Sequence, residues 1–424
     1  MRHRAWSVSG AAVLCAILLA GADWPCFRGP NGEGTADDKG LPLTWSETEN
    51  VAWKTALPGA GSSSPVTAGD KVFVTCYSGY GLDQSKPGDP AKLQYHTVCA
   101  SLTDGRILWD KTVPAKPPQP VYHSFIVMHG YASASAVTDG KAVYTFFGTS
   151  GVFAYDLAGA QLWHAEVGNG TFFWGTGASP ILYKNLLIVN ASVESQSLIA
   201  FDKATGHEVW RARKVDQSWS TPTIVTLPDG HDELVLSLKG LAWGLDPTTG
   251  KELWRCHAVD DYVCPAVIAH AGIVYVTGGR SPVIVAIRAG GHGDVTESHV
   301  LWRKSKTPKV ATPLYQQGRL YWLSDQGQAT CLNAETGAVV YEKRLKMSGL
   351  DSEKAYASLV AADGKFYAVT RHSGTLVLAP GDEFKELSHN DLGDKSLFNA
   401  TPAIVGGRLL LRSDQFLYCL GKLK

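Results

Sequence analysis

The sequence predicts an all-β fold: an eight-bladed β-propeller of four-stranded antiparallel blades, with the ring closed by an N-terminal strand that completes the last blade. Two observations support this prediction. A run that reads as strand, glycine-containing turn and second strand ending in a large aromatic recurs along the chain, and a Ser/Thr-Pro step opens most copies. Successive copies are about 44 residues apart, which is within the range of propeller blades.

The aromatic-ended runs are clearest as AFDKATGHEVW, which ends at Trp210, and GLDPTTGKELW, which ends at Trp254. Each turn glycine is expected to adopt a positive φ, and an aspartate such as Asp202 is expected to cap the turn by accepting backbone hydrogen bonds. Because large aromatics recur at one position of the repeat, we expect them to pack between blades. These residues are Trp109, Trp163, Trp210, Trp254 and Trp302.

The opening positions count the blades and predict how the ring closes. They are Ser64, Ser135, Ser179, Thr221, Cys264, Thr312, Ser358 and Thr401. The eighth copy ends near Leu420 without its aromatic-ended strand, and a matching strand, residues 50–54, precedes the first copy. Pairing the two protects open sheet edges. The predicted organisation is a signal peptide at 1–22, an N-terminal extension at 23–49 and one propeller domain at 50–424.

The first residues resemble an export signal. Arg2 and Arg4 form a basic start, an apolar stretch follows, and Ala20-Gly21-Ala22 fits a small-x-small cleavage site before Asp23. We therefore expect a periplasmic or secreted protein, and no later segment approaches the roughly 18 apolar residues of a membrane span. The 39 basic and 39 acidic residues balance, which gives no support to nucleic acid as a partner.

Seven cysteines remain after the predicted cleavage, so at least one has no partner within the chain. Cys331 and Cys419 occupy the alanine position of the repeat, where a buried thiol is expected. Two disulfides are left open as hypotheses, one joining Cys256 to Cys264 and one joining Cys76 to Cys99. The chain has no CxxC or CxxCH motif, so neither a zinc knuckle nor covalent haem is predicted.

The ligand-binding candidates come from two sets of positions around the central channel, with Trp174 added from an aromatic cluster, residues 172–175, on a crossing loop at the same face. The first set lies two residues before each opening position and supplies aromatics, and the second lies in the turns between second and third strands and supplies charges. Such a funnel suits a planar or anionic ligand, and the alternative is a water-filled channel with solvated loop charges. The candidates are Trp174, Glu194, Trp219, Tyr262, Arg280, Asp325, Tyr356, Arg371, His372, Asn399 and Arg412.

Two long insertions interrupt the first blades, at residues 77–96 and 114–130, and long loops in a tight repeat are where function concentrates. The second insertion contains His123 and His129, but no acidic or cysteine partner lies at a metal-like spacing. These histidines are interpreted as solvated loop residues. We assign no metal ligand and no catalytic residue.

The run from Ala200 through Asp202, Thr205-Gly206 and Glu208 to Trp210 resembles the tryptophan-docking motif of the pyrroloquinoline quinone (PQQ) enzyme-like propellers. The opening Trp24-Pro25-x-Phe27-Arg28-Gly29-Pro30-Asn31-Gly32 is similar to that of exported propellers of the same kind. The resemblance covers nearly all of the mature chain. It implies either a quinoprotein alcohol dehydrogenase or a non-catalytic scaffold similar to the propeller lipoprotein of the outer-membrane β-barrel assembly machinery.

The dehydrogenase branch implies PQQ held between a tryptophan and a vicinal disulfide, beside a Ca²⁺ ion. In this sequence Trp219 would take the tryptophan's place, and Glu194 and Asn399 would supply oxygen ligands, but no vicinal cysteine pair exists. We therefore predict an exported, monomeric, non-catalytic scaffold without cofactor that binds a protein or small ligand at its loop-rich face. The alternatives are a PQQ- and Ca²⁺-dependent alcohol or sugar dehydrogenase and, from aromatic composition alone, a glycan-binding protein.

Overall fold

The computed structural model describes residues 23–305, 307–346, 355–372 and 374–422. The predicted signal peptide, residues 1–22, lies outside the described residues. Eight sheets surround a central axis, and the hydrophobic cores lie between neighbouring blades. The prediction of an eight-bladed, all-β propeller is confirmed.

Each blade is an antiparallel sheet that runs from an innermost to an outermost strand. The first four blades contain the following strands: blade 1, Val66–Ala68, Lys71–Ser78, Gln94–Ser101 and Ile107–Pro114; blade 2, Val137–Thr138, Ala142–Phe146, Val152–Asp156 and Gln161–Ala165; blade 3, Ile181–Tyr183, Leu186–Ala191, Ser197–Asp202 and Glu208–Arg213; blade 4, Thr223–Thr226, Asp232–Leu238, Leu241–Leu245 and Glu252–His257.

The remaining blades continue the pattern, with one extra strand, Gly293–Asp294, added to the outer edge of blade 4. Their strands are: blade 5, Ile268–His270, Ile273–Gly278, Val283–Arg288 and Val300–Ser305; blade 6, Leu314–Gln316, Arg319–Leu323, Gln328–Asn333 and Val339–Arg344; blade 7, Val360–Ala362, Lys365–Val369, Thr375–Leu378 and Glu386–Asn390; blade 8, Ala403–Val405, Arg408–Arg412, Phe416–Leu420 and Val51–Ala56.

Helices are short and few among the described residues. Two four-residue α-helices are Ser192–Ser195 and Thr296–His299, and the 3₁₀ turns are Pro30–Gly32, Pro90–Lys92, Ser124–Met128 and Gly148–Ser150. Within the described part of the chain, no helix has the length and apolar character needed to cross a bilayer.

The ring closes as the sequence predicted. Strand Val51–Ala56 pairs antiparallel with Phe416–Leu420, and Trp53 lies opposite Cys419. The first strand of the propeller therefore supplies the outermost strand of blade 8 and covers the edge that Phe416–Leu420 would otherwise leave open.

The predicted packing of tryptophans between blades is confirmed, and the structure shows how each is held. The Trp163 indole N–H donates to the carbonyl of Lys203 in the next blade at 3.0 Å, and its ring covers Gly206 of that blade's turn. The same bond to the following blade is made by Trp53, Trp109, Trp210 and Trp302. The turns are capped as expected, since Asp202 accepts hydrogen bonds from two backbone N–H groups.

Trp254 departs from this arrangement. Its indole N–H donates to the Glu233 carboxylate of its own blade at 2.7 Å, and it is completely buried. Room for the ring comes from Gly244, because a Cβ there would lie 2.1 Å from the indole. The backbone N–H of Gly290, from the next blade, also donates to Glu233, so this carboxylate replaces the usual carbonyl contact between blades.

The opening Ser and Thr residues link neighbouring blades through their hydroxyl groups. The backbone N–H of Ser64 donates to the Ser135 hydroxyl at 2.8 Å, and Ser135 N–H donates to Ser179 at 3.0 Å. The same bond joins Ser179 to Thr221, Thr312 to Ser358 and Ser358 to Thr401. Because the hydroxyl is needed as an acceptor, the repeat keeps Ser or Thr at most of these positions.

The seven described cysteines are free thiols, so both disulfide hypotheses are wrong in this structure. On the paired strands of blade 1, Cys76 lies opposite His96 and Cys99 lies opposite Phe73. The two cysteines are therefore not paired with each other across the strands, and they belong to different hydrophobic clusters. Cys256 is in the core between blades 4 and 5, whereas Cys264 lines the central cavity. Cys331 and Cys419 are fully buried, as predicted.

Candidate functional site

The inner ends of the blades enclose a cavity of about 450 Å³, here called the cup. All eight positions predicted to surround the channel mouth line it: Ser62, Ser133, Gly177, Trp219, Tyr262, Val310, Tyr356 and Asn399. A second tier consists of all eight opening positions: Ser64, Ser135, Ser179, Thr221, Cys264, Thr312, Ser358 and Thr401. The cup is therefore built from one aromatic and polar tier and one tier rich in hydroxyl groups.

The N-terminal extension closes the bottom of the cup, a role that the sequence did not predict. Phe27 lines the cup and also a second cavity of about 520 Å³, so it lies at the boundary of the two. The Arg28 guanidinium donates to the carbonyls of Thr312 and Pro313 in blade 6 at 3.0 and 3.1 Å. The available signal was an aromatic and an arginine side by side in a short extension that also carries two tryptophans, Trp24 and Trp45.

The extension is fastened to blades on opposite sides of the ring, since Thr138 of blade 2 donates its backbone N–H to the carbonyl of Pro25 at 2.9 Å and Arg28 is bonded to blade 6. Trp24 is completely buried, and its backbone N–H donates to the Thr67 hydroxyl of blade 1 at 2.8 Å. Further along, Thr35 forms a parallel bridge with Ala361 of blade 7. The extension thus crosses the channel, and the central hole of the ring is closed at this end rather than a continuous water-filled passage.

An aromatic corner forms one wall of the cup. The rings of Trp174 and Trp219 are 4.7 Å apart, and Tyr262 meets Trp174 edge-on at 4.6 Å. Phe125, from the second insertion, contacts the other side of Trp174 at 5.2 Å. The Trp219 indole N–H donates to the carbonyl of Gly175 at 2.8 Å, which fixes the corner. Three of the predicted aromatic candidates are therefore brought together.

Charged side chains line another part of the cup. The guanidinium of Arg280 lies 5.8 Å from the Tyr262 ring, within range of a cation–π contact. Lys309, which the sequence analysis did not select, lies 3.7 Å from the nearly buried Asp325 carboxylate. Two cations and one carboxylate thus reach the cavity.

Buried guanidinium groups add positive charge around the cup. Arg28 and Arg412 are each 1 % exposed, and among the described residues neither has a carboxylate within 4 Å. Burial lowers the pKa of Arg28 to about 10, which still leaves the group charged at neutral pH. Glu33 acts on Arg28 and Asp414 on Arg412 from beyond that distance, so each positive charge is compensated only in part and contributes a field that favours anions.

Four of the predicted candidates lie outside the cup. Arg412 is used for packing between blades 8 and 1, where it donates to the carbonyls of Ser63 and Thr75. His372 is exposed and borders a smaller cavity beside Trp45. The turn between second and third strands therefore does not always direct its side chain towards the axis.

Arg371 and Glu194 are buried directly behind the lining. The Arg371 guanidinium lies 4.7 Å from the Tyr356 ring centre, and its Nε donates to the side-chain oxygen Oδ1 of Asn399 at 3.0 Å. Asn399 in turn donates to the carbonyl of Met128 at 2.7 Å. Arg371 therefore positions two lining residues, and Glu194 holds a loop described below.

The two insertions pack against each other and cover part of the mouth. Tyr77 and Tyr80 belong to the first insertion, and Tyr131 follows the second. The ring centres of Tyr77 and Tyr80 lie 5.3 and 5.8 Å from that of Tyr131. The first insertion also extends the strand pairing of blade 1. His129 lines the cup, with Nδ1 2.6 Å from the Ser133 hydroxyl, and burial lowers its pKa to about 4. It is therefore a neutral, hydrogen-bonded residue and not a solvated one as predicted.

The residues present do not fit a PQQ–Ca²⁺ site. The side-chain oxygen Oδ1 of Asn399 already accepts a hydrogen bond from Arg371, and Glu194 does not line the cup. A hard cation needs six to eight oxygen ligands, and the described residues contain no group of three or more His, Cys, Asp or Glu that could hold a metal ion. Cys264 is the only cysteine among the lining residues, so no vicinal disulfide faces Trp219.

Burial raises the pKa of Glu194 to about 7, well above its usual 4.5, and the bond from Thr176 only partly opposes this effect. The folded state therefore binds a proton that the unfolded state has lost, so the stabilisation is complete below about pH 4.5 and is lost as pH rises to about 7. We expect the free energy of unfolding of the wild type to fall by about 3 kcal/mol across this range relative to Glu194→Gln. Urea unfolding of the wild type and of Glu194→Gln at pH 5 and pH 8 measures this difference. An equal change in unfolding free energy with pH in the two proteins would contradict the prediction.

The family model described as outer membrane protein assembly factor BamB matches residues 35–172, 194–291 and 293–415. The chain belongs to the BamB family. Its match covers most of the propeller, which agrees with the resemblance to PQQ-like repeats. The crystal structure of BamB from Moraxella catarrhalis has the same fold, with a TM-score of 0.58 and 13 % identity over 87 % of this chain and 98 % of that one.

Two further proteins resemble this chain, one in fold and one in sequence. Quinohemoprotein alcohol dehydrogenase from Pseudomonas putida HK5 superposes with a TM-score of 0.51 and 13 % identity, over 85 % of this BamB-family chain and 76 % of that one. Tetrathionate hydrolase from Acidithiobacillus ferrooxidans is 24 % identical over 255 residues, which is 58 % of this chain. The match spans 46 % of that hydrolase, or about half its length.

Proposed function

We propose that this chain is an exported, monomeric, non-catalytic recognition protein that binds a small anionic organic ligand in the cup. The observation that carries the proposal is the closed cup itself, whose volume of about 450 Å³ lies within the usual range of ligand sites. An open channel would offer a ligand no floor, whereas Phe27 closes this one. Export is inferred from the predicted signal peptide.

Charge and aromatic surface support an anion as the ligand. Arg280 and Lys309 reach the cavity, and buried arginines surround it, while Asp325 is the one carboxylate among the lining residues. The aromatic corner supplies a flat apolar surface, which contributes binding area without much loss of side-chain entropy. The relative named tetrathionate hydrolase is compatible with this charge preference, because tetrathionate is a small dianion.

The test uses an anionic aromatic probe, 8-anilinonaphthalene-1-sulfonate, followed by its fluorescence. The wild type is expected to bind one molecule, and Trp219→Ala to weaken binding at least tenfold because the aromatic corner loses its fixed ring. Tetrathionate is added as a competitor. Saturable binding that neither Trp219→Ala nor tetrathionate affects would contradict the proposed site.

The contribution of charge is tested with a matched pair of arginines. Arg280 and Arg106 each have 73 % exposed side chains, and each lies 3.9 Å from an aspartate, but only Arg280 borders the cup. We expect Arg280→Gln to weaken binding of the sulfonate about fivefold, which corresponds to about 1 kcal/mol, and Arg106→Gln to leave it unchanged. Equal effects of the two substitutions would show that the charge acts only through the net charge of the protein.

A second candidate function is docking of a protein partner on the rim, as the family name suggests for BamB. The supporting observation is that Val121, Phe125 and Phe173 are large apolar side chains on the mouth loops with 74, 49 and 51 % exposure. Val121→Asp separates the candidates, because Val121 does not line the cup: the substitution should weaken partner binding while leaving probe binding in the cup intact. Removing residues 77–96 is a poorer test, since it also deletes paired strand residues.

A further inference from the structure

Glu194 is a buried carboxylate with an incomplete set of partners. It belongs to the helix Ser192–Ser195 and is 3 % exposed. One carboxylate oxygen, Oε1, accepts a hydrogen bond from the Thr176 hydroxyl. The other, Oε2, is buried without a hydrogen-bond partner among the described residues. Within that part of the chain no lysine, arginine or histidine lies within 4 Å of it.

The same residue is attached to both ends of one loop, residues 168–176, here called the Trp174 loop. At the start of the loop, the N–H of Gly170 donates to the Glu194 carbonyl at 2.8 Å. Gly168 approaches so closely that a Cβ would lie 2.3 Å from that carbonyl oxygen. At the end of the loop, Thr176 binds the side chain. Glu194 therefore clasps the loop at two points.

The part of the loop between these points forms the wall of the cup. Trp174 contacts Trp219, and Phe172 lies 5.3 Å from the same indole. Gly175 accepts the indole N–H of Trp219. A change in the clasp would consequently move or loosen the aromatic corner.

The surroundings of Glu194 offer no charge that would stabilise its ionised form. A small cavity of about 20 Å³ beside it is lined by Tyr95, Tyr131, Gln119 and Thr149. Burial raises the pKa of both tyrosines, so they are neutral at neutral pH. The 3₁₀ turn Gly148–Ser150, which packs against the helix, adds only uncharged groups. Ionisation therefore places an isolated charge in the interior, which is costly.

We propose that Glu194 is a positioning residue whose protonation controls the cup: the neutral acid clasps the Trp174 loop, and the ionised carboxylate releases it. Release exposes the carboxylate to water and removes the cost of burying its charge. The consequence for ligand binding rests on the proposed function, whereas the movement of the loop does not.

Hydrogen–deuterium exchange of the full mature chain tests the loop directly. After correction for intrinsic exchange, protection of peptides covering residues 168–176 is expected to fall by up to about 100-fold between pH 5 and pH 8. Glu194→Gln keeps the shape without the charge, so its loop should stay protected at both values. Glu233→Gln is the matched control, because Glu233 is also buried but accepts from Trp254 and Gly290, and it should retain the wild-type pH dependence of the loop.

Two results would overturn the clasp: equal loop protection in the wild type at both pH values, or an unchanged pH dependence in Glu194→Gln. If that variant does not fold, Thr176→Val serves instead. It removes the hydroxyl donor that favours the carboxylate, so the midpoint of the protection change should move to higher pH, and an unmoved midpoint would contradict the proposal.

Binding of 8-anilinonaphthalene-1-sulfonate at the two pH values separates this inference from the proposed function. Weaker binding at pH 8 in the wild type but not in Glu194→Gln supports both. A loop that opens without any change in probe affinity supports the clasp and contradicts the proposed site at this wall. Probe binding that needs Trp219 but a loop that never responds to pH supports the site and contradicts the clasp.

Discussion

Gly206→Ala is expected to lower the free energy of unfolding by about 4 kcal/mol. Gly206 has a φ of +74° and its new Cβ would lie 2.6 Å from the Trp163 ring. A left-handed conformation costs a non-glycine residue about 1–2 kcal/mol, and overpacking against a fixed ring adds about 1–3 kcal/mol. The ring is fixed because its N–H is bonded to Lys203. Urea unfolding at constant pH measures the change.

Gly240→Ala is the matched control for this prediction. Gly240 has a φ of +77°, but nothing lies within 4 Å of its new Cβ. It should therefore cost only the conformational strain, about 1 kcal/mol. In a Trp163→Ala background, the loss of unfolding free energy caused by Gly206→Ala should fall to the same value, because the new Cβ no longer meets the tryptophan ring. Equal losses for the two glycines in the wild type would mean that the tryptophan contact between blades contributes nothing.

Arg28→Ala is expected to have a comparably large effect, on both stability and the floor of the cup. The guanidinium satisfies four carbonyls: those of Gly32 and Glu33 in the extension and of Thr312 and Pro313 in blade 6. A buried acceptor that loses its donor costs about 1–3 kcal/mol, so we expect a total of about 4 kcal/mol. Residues 23–49 should also become accessible to protease before the blades do.

The exposed Arg106 provides the control for Arg28, since Arg106→Ala should change stability by less than about 0.5 kcal/mol. Limited proteolysis with mass spectrometry locates the first cleavage. If Arg28→Ala unfolds like the wild type and shows the same cleavage pattern, Trp24 and the bridge between Thr35 and Ala361 would be sufficient to hold the extension. In that case the guanidinium would serve the cup only through its charge.

The extension connects stability to the proposed function. Phe27 and Arg28 are adjacent, so a change that releases the arginine also removes the ring that closes the cup. We therefore expect a variant such as Arg28→Ala to bind the anionic probe more weakly even under conditions where the blades stay folded. The same residues thus hold the extension in place and define the depth of the cup.

The repeat in the sequence determined the number of blades, the closing strand and the mouth positions. These features follow from local patterns, because a strand period, a turn glycine and an aromatic at a fixed spacing recur with every blade. Trp219, Tyr262, Tyr356 and Asn399 were placed in the cup for this reason. The same pattern could not distinguish Trp254, whose indole turns into its own blade because Gly244 leaves space and Glu233 accepts its N–H.

Only the tertiary structure decided which loop residues face the axis and what closes the channel. Arg412 and Arg371 occupy turn positions like that of Arg280, but contacts to neighbouring blades bury them behind the wall. Phe27 reaches the floor, and Glu194 reaches the Trp174 loop, through contacts between segments that no repeat relates. The sequence by itself therefore determined the ring, because the strand and turn patterns are local and recur in every blade. Packing across the ring determined the cup, because the contacts that form it join distant segments and do not recur from blade to blade.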